Sequence, residues 1–112
     1  ENFVLDSSFN LKYIDFELSH HVSETKVRSK GTDNYRCPEL IEGKEVDPFS
    51  ADIYALGITL FTLRLGFNPY QEVDEFGGRK FYEIFTQEPS KYWDILEKHT
   101  KAKLSSTFKE LI

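Results

Sequence analysis

Apolar and polar positions fall into blocks along these 112 residues, and each block predicts an element. Phe3-Val4-Leu5 and Leu11-Lys12-Tyr13-Ile14 are short apolar runs separated by a polar stretch with Asn10 at its end, which predicts a β-hairpin over about 3–14. From Ser19 to Lys30 the chain is polar, with His20, His21, Ser23, Thr25 and Ser29, and follows neither the helical nor the strand period. That stretch is expected to be a mobile loop. Pro38-Glu39-Leu40-Ile41-Glu42 suits a short helix with Pro in its first turn and Gly43 placed to end it.

The strongest helical signal follows. Ile53, Leu56, Leu60 and Leu63 recur at offsets of three, four and three, Ser50 is placed to cap the start, and Gly66 offers a stop. Tyr54, Ile58 and Phe61 add apolar positions on the other faces. The helix over about 50–65 is therefore expected to be buried on most sides and to centre the core. Phe81, Ile84 and Phe85 place another helix within 76–85, behind the Gly77-Gly78 break. Tyr92, Trp93, Ile95 and Leu96 form an apolar cluster, and Leu104, Phe108 and Leu111 predict a final helix. The fold class is α+β, mostly helical.

Charge narrows the partners. A net charge of −5 and a pI near 5.2 argue against nucleic acid, whose phosphates demand basic patches. The longest apolar stretch, Ile53 to Leu63, stops at Arg64 and falls far short of the ~20 residues a membrane span needs. No signal peptide or lipidation motif is visible. Cys37 is the single cysteine, so no internal disulfide can form; a reducing cytoplasm is the expected location and a packing role the expected one for the thiol.

Two strings carry candidate chemistry: Asp15-Phe16-Glu17, and Gly31-Thr32-Asp33-Asn34-Tyr35-Arg36-Cys37-Pro38-Glu39. In that order, about twenty residues apart, they resemble the activation segment of a protein kinase, which opens Asp-Phe-Gly and closes Gly-Thr-x-x-Tyr-x-x-Pro-Glu. Glu1-Asn2 looks like the end of a Ser/Thr kinase catalytic loop. Asp52-Ile53-Tyr54-Ala55-Leu56-Gly57 is similar to the start of the large helix of the kinase C-lobe, and Leu65-Gly66-Phe67-Asn68-Pro69-Tyr70 to its exit. The tail from Leu104 to Ile112 is similar to a helix late in the lobe of the calcium/calmodulin-dependent-like kinases. Several motifs in register are more specific than any one alone.

This resemblance implies the roles. Asp15 and Asn2 would bind Mg²⁺, a carboxylate and an amide oxygen suiting a hard cation that bridges the phosphates of ATP. Val4 would pack beneath the adenine ring, Thr32 would contact the catalytic base, and Glu39 would pair with an Arg beyond Ile112. Asp52 would anchor the catalytic loop, with Gly57 in the same helix; an acid in a helix's first turn is also favourable by about 0.3–1 kcal/mol against the dipole. Read without the resemblance, Asp15 is an acid capping a turn, Asn2 a terminal residue, Val4 plain core and Thr32 a loop threonine. Ser23, Thr25 and Ser29 are candidate phosphorylation sites. His20, His21 and Glu24 could be imagined as metal ligands, but adjacent histidines in a loop rarely converge.

The chain departs from the family pattern at several points. Glu17 replaces the Gly of Asp-Phe-Gly, adding a Cβ and a negative charge beside the metal position. Arg28 stands where many kinases carry a phosphorylatable Thr, Cys37 replaces an Ala, and Tyr54 replaces a Trp. Two readings remain. One is part of an ATP- and Mg²⁺-dependent Ser/Thr kinase acting on protein substrates; the other is a pseudokinase module that binds partners, for which 76–93 is the expected docking region. With no Met and a motif under way at Glu1, the chain reads as a C-lobe fragment spanning 1–112, with the N-lobe and final helices elsewhere and no activity of its own.

Overall fold

The computed structural model describes residues 2–27, 31–69 and 79–112. Glu1, Arg28, Ser29, Tyr70, Phe76, Gly77 and Gly78 of the motifs above lie outside them. Strand β1 (Phe3–Leu5) pairs antiparallel with β2 (Leu11–Tyr13), setting Phe3 opposite Tyr13, Val4 opposite Lys12 and Leu5 opposite Leu11. Asp6 fixes this register. Its Oδ1 accepts the N–H groups of Ser8 and Asn10, each at 2.9 Å, and its Oδ2 accepts the Asn10 side-chain amide at 3.1 Å. The backbone and side-chain bonds from Asn10 hold the Asp6 carboxyl below its ordinary pKa. The left-handed residue of the turn is Phe9, at φ 63, rather than Asn10.

Beyond the hairpin, residues 19–27 run through turns and end in a contact the sequence did not signal. Val27 and Val46 exchange backbone hydrogen bonds of 3.1 and 3.3 Å as an isolated antiparallel bridge, flanked by a Lys26–Glu45 ion pair at 3.5 Å. Val27 thereby joins Cys37 and Leu40 in a small core, with Val46, Ala51 and Tyr54 packed on it. Leu40 comes from α1 (Pro38–Ile41), whose Pro sits at the first turn as expected.

Helix α2 (Pro48–Leu65) starts two residues before the predicted position. Pro48 fits the first helical position, where its missing N–H costs nothing. Asp47 is the cap instead of Ser50: its Oδ2 accepts both the N–H and the hydroxyl of Ser50 at 2.8 Å. Gly66, at φ 85, ends the helix as expected and donates its N–H to the Thr62 carbonyl at 2.8 Å.

The expectation that α2 is buried on most sides fails. Ile58 and Phe61 are buried, whereas Ile53 and Leu63 are 69% and 78% exposed and Leu56 is also exposed. A helix apolar all round gives periodicity no means of choosing a face, and the aromatic residues of α4 choose the one bearing Phe61. Helices α3 (Arg79–Gln87), α4 (Pro89–Thr100) and α5 (Ser106–Leu111) complete the chain. Phe61, Tyr92, Trp93 and Leu96 form the main core, with Leu65, Phe85, Leu104 and Phe108 among the residues packed on it. Tyr92 meets Phe85 and Trp93 edge-on at 4.9 and 5.3 Å, geometry worth about 0.5–1.5 kcal/mol per pair beyond area burial.

Glu97 ties α5 to α4. Its Oε1 accepts the Leu104 N–H at 2.9 Å and faces the Lys109 ammonium at 3.0 Å, while Ser105 Oγ caps α5 through the Phe108 N–H at 3.2 Å. Among the described residues no helix is long and apolar enough to cross a membrane.

Candidate functional site

The hairpin brings together two of the residues singled out from sequence. One step beyond the Phe3–Tyr13 pair, the Ile14 N–H donates to the Asn2 carbonyl at 3.1 Å, so Asn2 and the residue after Ile14, Asp15, share one end of the hairpin. Asp15 adopts φ 64, a left-handed conformation that Asp tolerates better than most residues, and this turns the chain sharply out of the strand. Both side chains are exposed. A carboxylate and an amide oxygen are donors of the kind Mg²⁺ takes, a cation that keeps several waters and uses only one or two protein carboxylates beside phosphate oxygens. Val4 lies on β1 opposite Lys12 and is 40% exposed. Phe16, next to Asp15, is exposed, and its carbonyl accepts the Ser19 N–H at 3.0 Å, closing a turn around Glu17.

Within residues 20–24 the side chains bond to one another. His20 Nδ1 lies 2.8 Å from Glu24 Oε2, and the His21 N–H donates to Glu24 Oε1 at 3.2 Å. The His20 bond, then the His21 backbone bond, hold the Glu24 carboxyl below its ordinary pKa. His21 Nδ1 accepts the Ser23 N–H at 3.3 Å and lies 2.8 Å from Ser23 Oγ. The two imidazoles thus serve different partners, and among the described residues no group of three or more His, Cys, Asp or Glu could hold a metal. Ser23 and Thr25 are exposed; Ser29 lies outside the described residues.

The second motif is held by backbone turns. Thr32 is exposed, and its carbonyl accepts the Tyr35 N–H at 3.0 Å, closing the 3₁₀ turn Asp33–Tyr35. Cys37 is buried in the Val27–Leu40 cluster, and desolvation, with a further contribution from Glu39, pushes its thiol pKa up. That is the environment of a packing residue rather than a nucleophile. Glu39 sits in the first turn of α1, its carbonyl accepting the Lys44 N–H at 2.8 Å.

The remaining candidates lie on α2. Asp52 is exposed and stands past the first turn, so the dipole argument attached to it belongs to the capping Asp47. Gly57 lines an apolar cavity of about 280 Å³ with Ile53, Tyr54, Ile58, Phe85, Leu111 and Ile112, and a Cβ built on it meets nothing within 4 Å. This cavity contains neither Asn2 nor Asp15. Sequence reading passed over the buried amide of Asn68; no spacing rule marks it, because one partner, the Asn34 carbonyl at 3.3 Å, is remote in sequence.

Comparison with known proteins bears on the family. The family model described as protein kinase domain matches residues 1–112. The chain is 45% identical over 74 residues to the Encephalitozoon cuniculi protein named "Probable cell cycle serine/threonine-protein kinase CDC5 homolog", covering 63% of this chain and 16% of that one. It is 40% identical over 77 residues to CBL-interacting protein kinase 31 of Oryza sativa subsp. japonica, 64% of this chain and 17% of that one. It is 39% identical over 77 residues to CBL-interacting serine/threonine-protein kinase 24 of Arabidopsis thaliana, 66% and 17% respectively. The chain thus spans about a sixth of the length of these curated relatives. Motifs, coverage and relatives converge on one assignment: the chain belongs to the protein kinase domain family.

Proposed function

We propose that this chain is the C-lobe portion, from the end of the catalytic loop onward, of a cytoplasmic Ser/Thr protein kinase that transfers the γ-phosphate of ATP to protein hydroxyls. The observation that carries this reading is the shared hairpin end of Asn2 and Asp15. When bound there, Mg²⁺ would supply charge neutralisation to the phosphates. The Asp15 carboxylate and the Asn2 side-chain oxygen would hold the cation, and the hairpin register, supported by the Asp6 bonds at its turn, keeps the two residues at one end of the element. Val4 offers an apolar surface to the adenine ring. Thr32, on a turn closed by its own carbonyl, would contact the base of the reaction. Residues 15–39 form the activation segment, tied down at Val27 by the bridge to Val46 and at Cys37 by the core. Glu39, Asp52 and Gly57 have structural roles.

Glu17 supports a second reading, a pseudokinase whose region 76–93 docks a partner; its carboxylate stands two residues from Asp15. Phosphoryl transfer from γ-labelled ATP by the complete protein separates the two. The kinase reading predicts transfer to Ser/Thr peptides by the unaltered protein and its abolition by Asp15→Ala; undiminished transfer by the variant would sink the assignment.

A further inference from the structure

We infer that Asn68 is a positioning residue for the segment 31–37, and that the buried phenol of Tyr92 holds the chain at Asn68 in place. A buried amide must find hydrogen-bond partners, and this one, 7% exposed, donates its Nδ2 to the Asn34 carbonyl at 3.3 Å across 34 residues of sequence. Asn34 is the middle residue of the 3₁₀ turn, and the Tyr35 N–H closes that turn on the Thr32 carbonyl at 3.0 Å.

The neighbour of Asn68 is anchored from the opposite side. Pro69 is fully buried, and its carbonyl accepts the Tyr92 hydroxyl at 3.3 Å, 23 residues away. Tyr92 has no exposed surface and sits in the main core with Phe61, Trp93 and Leu96. Two consecutive residues after the end of α2 therefore link the rigid core on one side to the Thr32 turn on the other. Cys37 fixes the far end of the same segment in the second core. Residues 31–37 are thus held at Asn34 and Cys37, with Thr32 just ahead of the first anchor.

The consequence for the protein substrate rests on the kinase reading above. There, a loosened 31–37 segment would let Thr32 drift from the base of the reaction and so misplace the hydroxyl-bearing peptide, while leaving ATP binding alone. Two variants of the complete protein test this. Asn68→Asp keeps the shape but turns an acceptor toward the Asn34 carbonyl; Tyr92→Phe removes only the hydroxyl and keeps the packing. Amide hydrogen exchange at 31–37 is expected to quicken about tenfold in Asn68→Asp, the scale of one net hydrogen bond, and by less in Tyr92→Phe. The KM for a Ser/Thr peptide should rise about five- to tenfold with the KM for ATP unchanged. Unchanged exchange at 31–37 in both variants, or equal quickening along the whole chain, would overturn the inference. Faster exchange at 31–37 with an unchanged peptide KM would overturn its substrate half. Local quickening in a protein that transfers no phosphate would uphold the positioning role and remove the kinase reading instead.

Discussion

Asp47 and Asp6 do the same work at two places: each carboxylate takes N–H donors that the chain cannot satisfy where an element begins or turns. At Asp47 this stabilises α2, the longest helix, through the Ser50 N–H and hydroxyl. Asp47→Ala is expected to cost about 1 kcal/mol in chemical denaturation, and Ser50→Ala less, because Ser50 is the donor partner and keeps its backbone N–H. Equal losses would mean that Ser50 acts as a cap in its own right. The sequence pointed to Ser50 because Ser is a favoured cap and precedes the apolar repeat, yet Pro48 moved the start upstream by offering a residue suited to the first helical position. The motif singled out Asp15 but not its left-handed backbone, since a motif names residue types rather than φ angles. Asn68 was illegible for a related reason: one long-range bond has no period.

Elements were legible where their signals were local. The hairpin, the stop of α2 at Gly66 and the short helix opened by Pro38 follow from turn chemistry and caps. The buried face of α2 did not, because Ile53, Leu56 and Leu63 make as good a stripe as Phe61 and Leu65, and only the docking of α4 decides between them. The Val27–Val46 bridge was hidden inside a polar stretch for the same reason: it is a tertiary event. At this scale Glu97 governs how α5 docks. The Leu104 N–H, then Lys109, hold its pKa below the ordinary 4.5. A depressed carboxyl contributes stability above its unfolded pKa and loses it as pH falls through the folded value. Docking of α5 should therefore be constant above about pH 5 and weaken as acid is added below pH 4.5. Trp93, the single Trp, meets the Phe108 ring of α5 at 6.4 Å and reports the change by its fluorescence. Glu97→Gln should flatten that acid transition; a transition identical to the unaltered chain's would assign it to other carboxylates.

At the scale of the molecule, two apolar surfaces stand exposed among the described residues. One is the hairpin and its exit, with Leu5, Leu11, Tyr13 and Phe16; the other is the Ile53–Leu63 face of α2. The matched stretch is about a sixth of each relative's length, so the reaction proposed here is a proposal about a larger whole, to which this chain would contribute Asn2 and Asp15. The claim on which the rest depends is that Asn2 and Asp15 hold one divalent cation between them. Mn²⁺ reports it directly: in the complete protein with ATP, enhancement of water-proton relaxation measures bound Mn²⁺. Asn2→Ala and Asp15→Ala should each weaken Mn²⁺ binding, Asp15→Ala more because it removes a charge. Mn²⁺–ATP binding unchanged in both variants would contradict a metal site at this end of the hairpin.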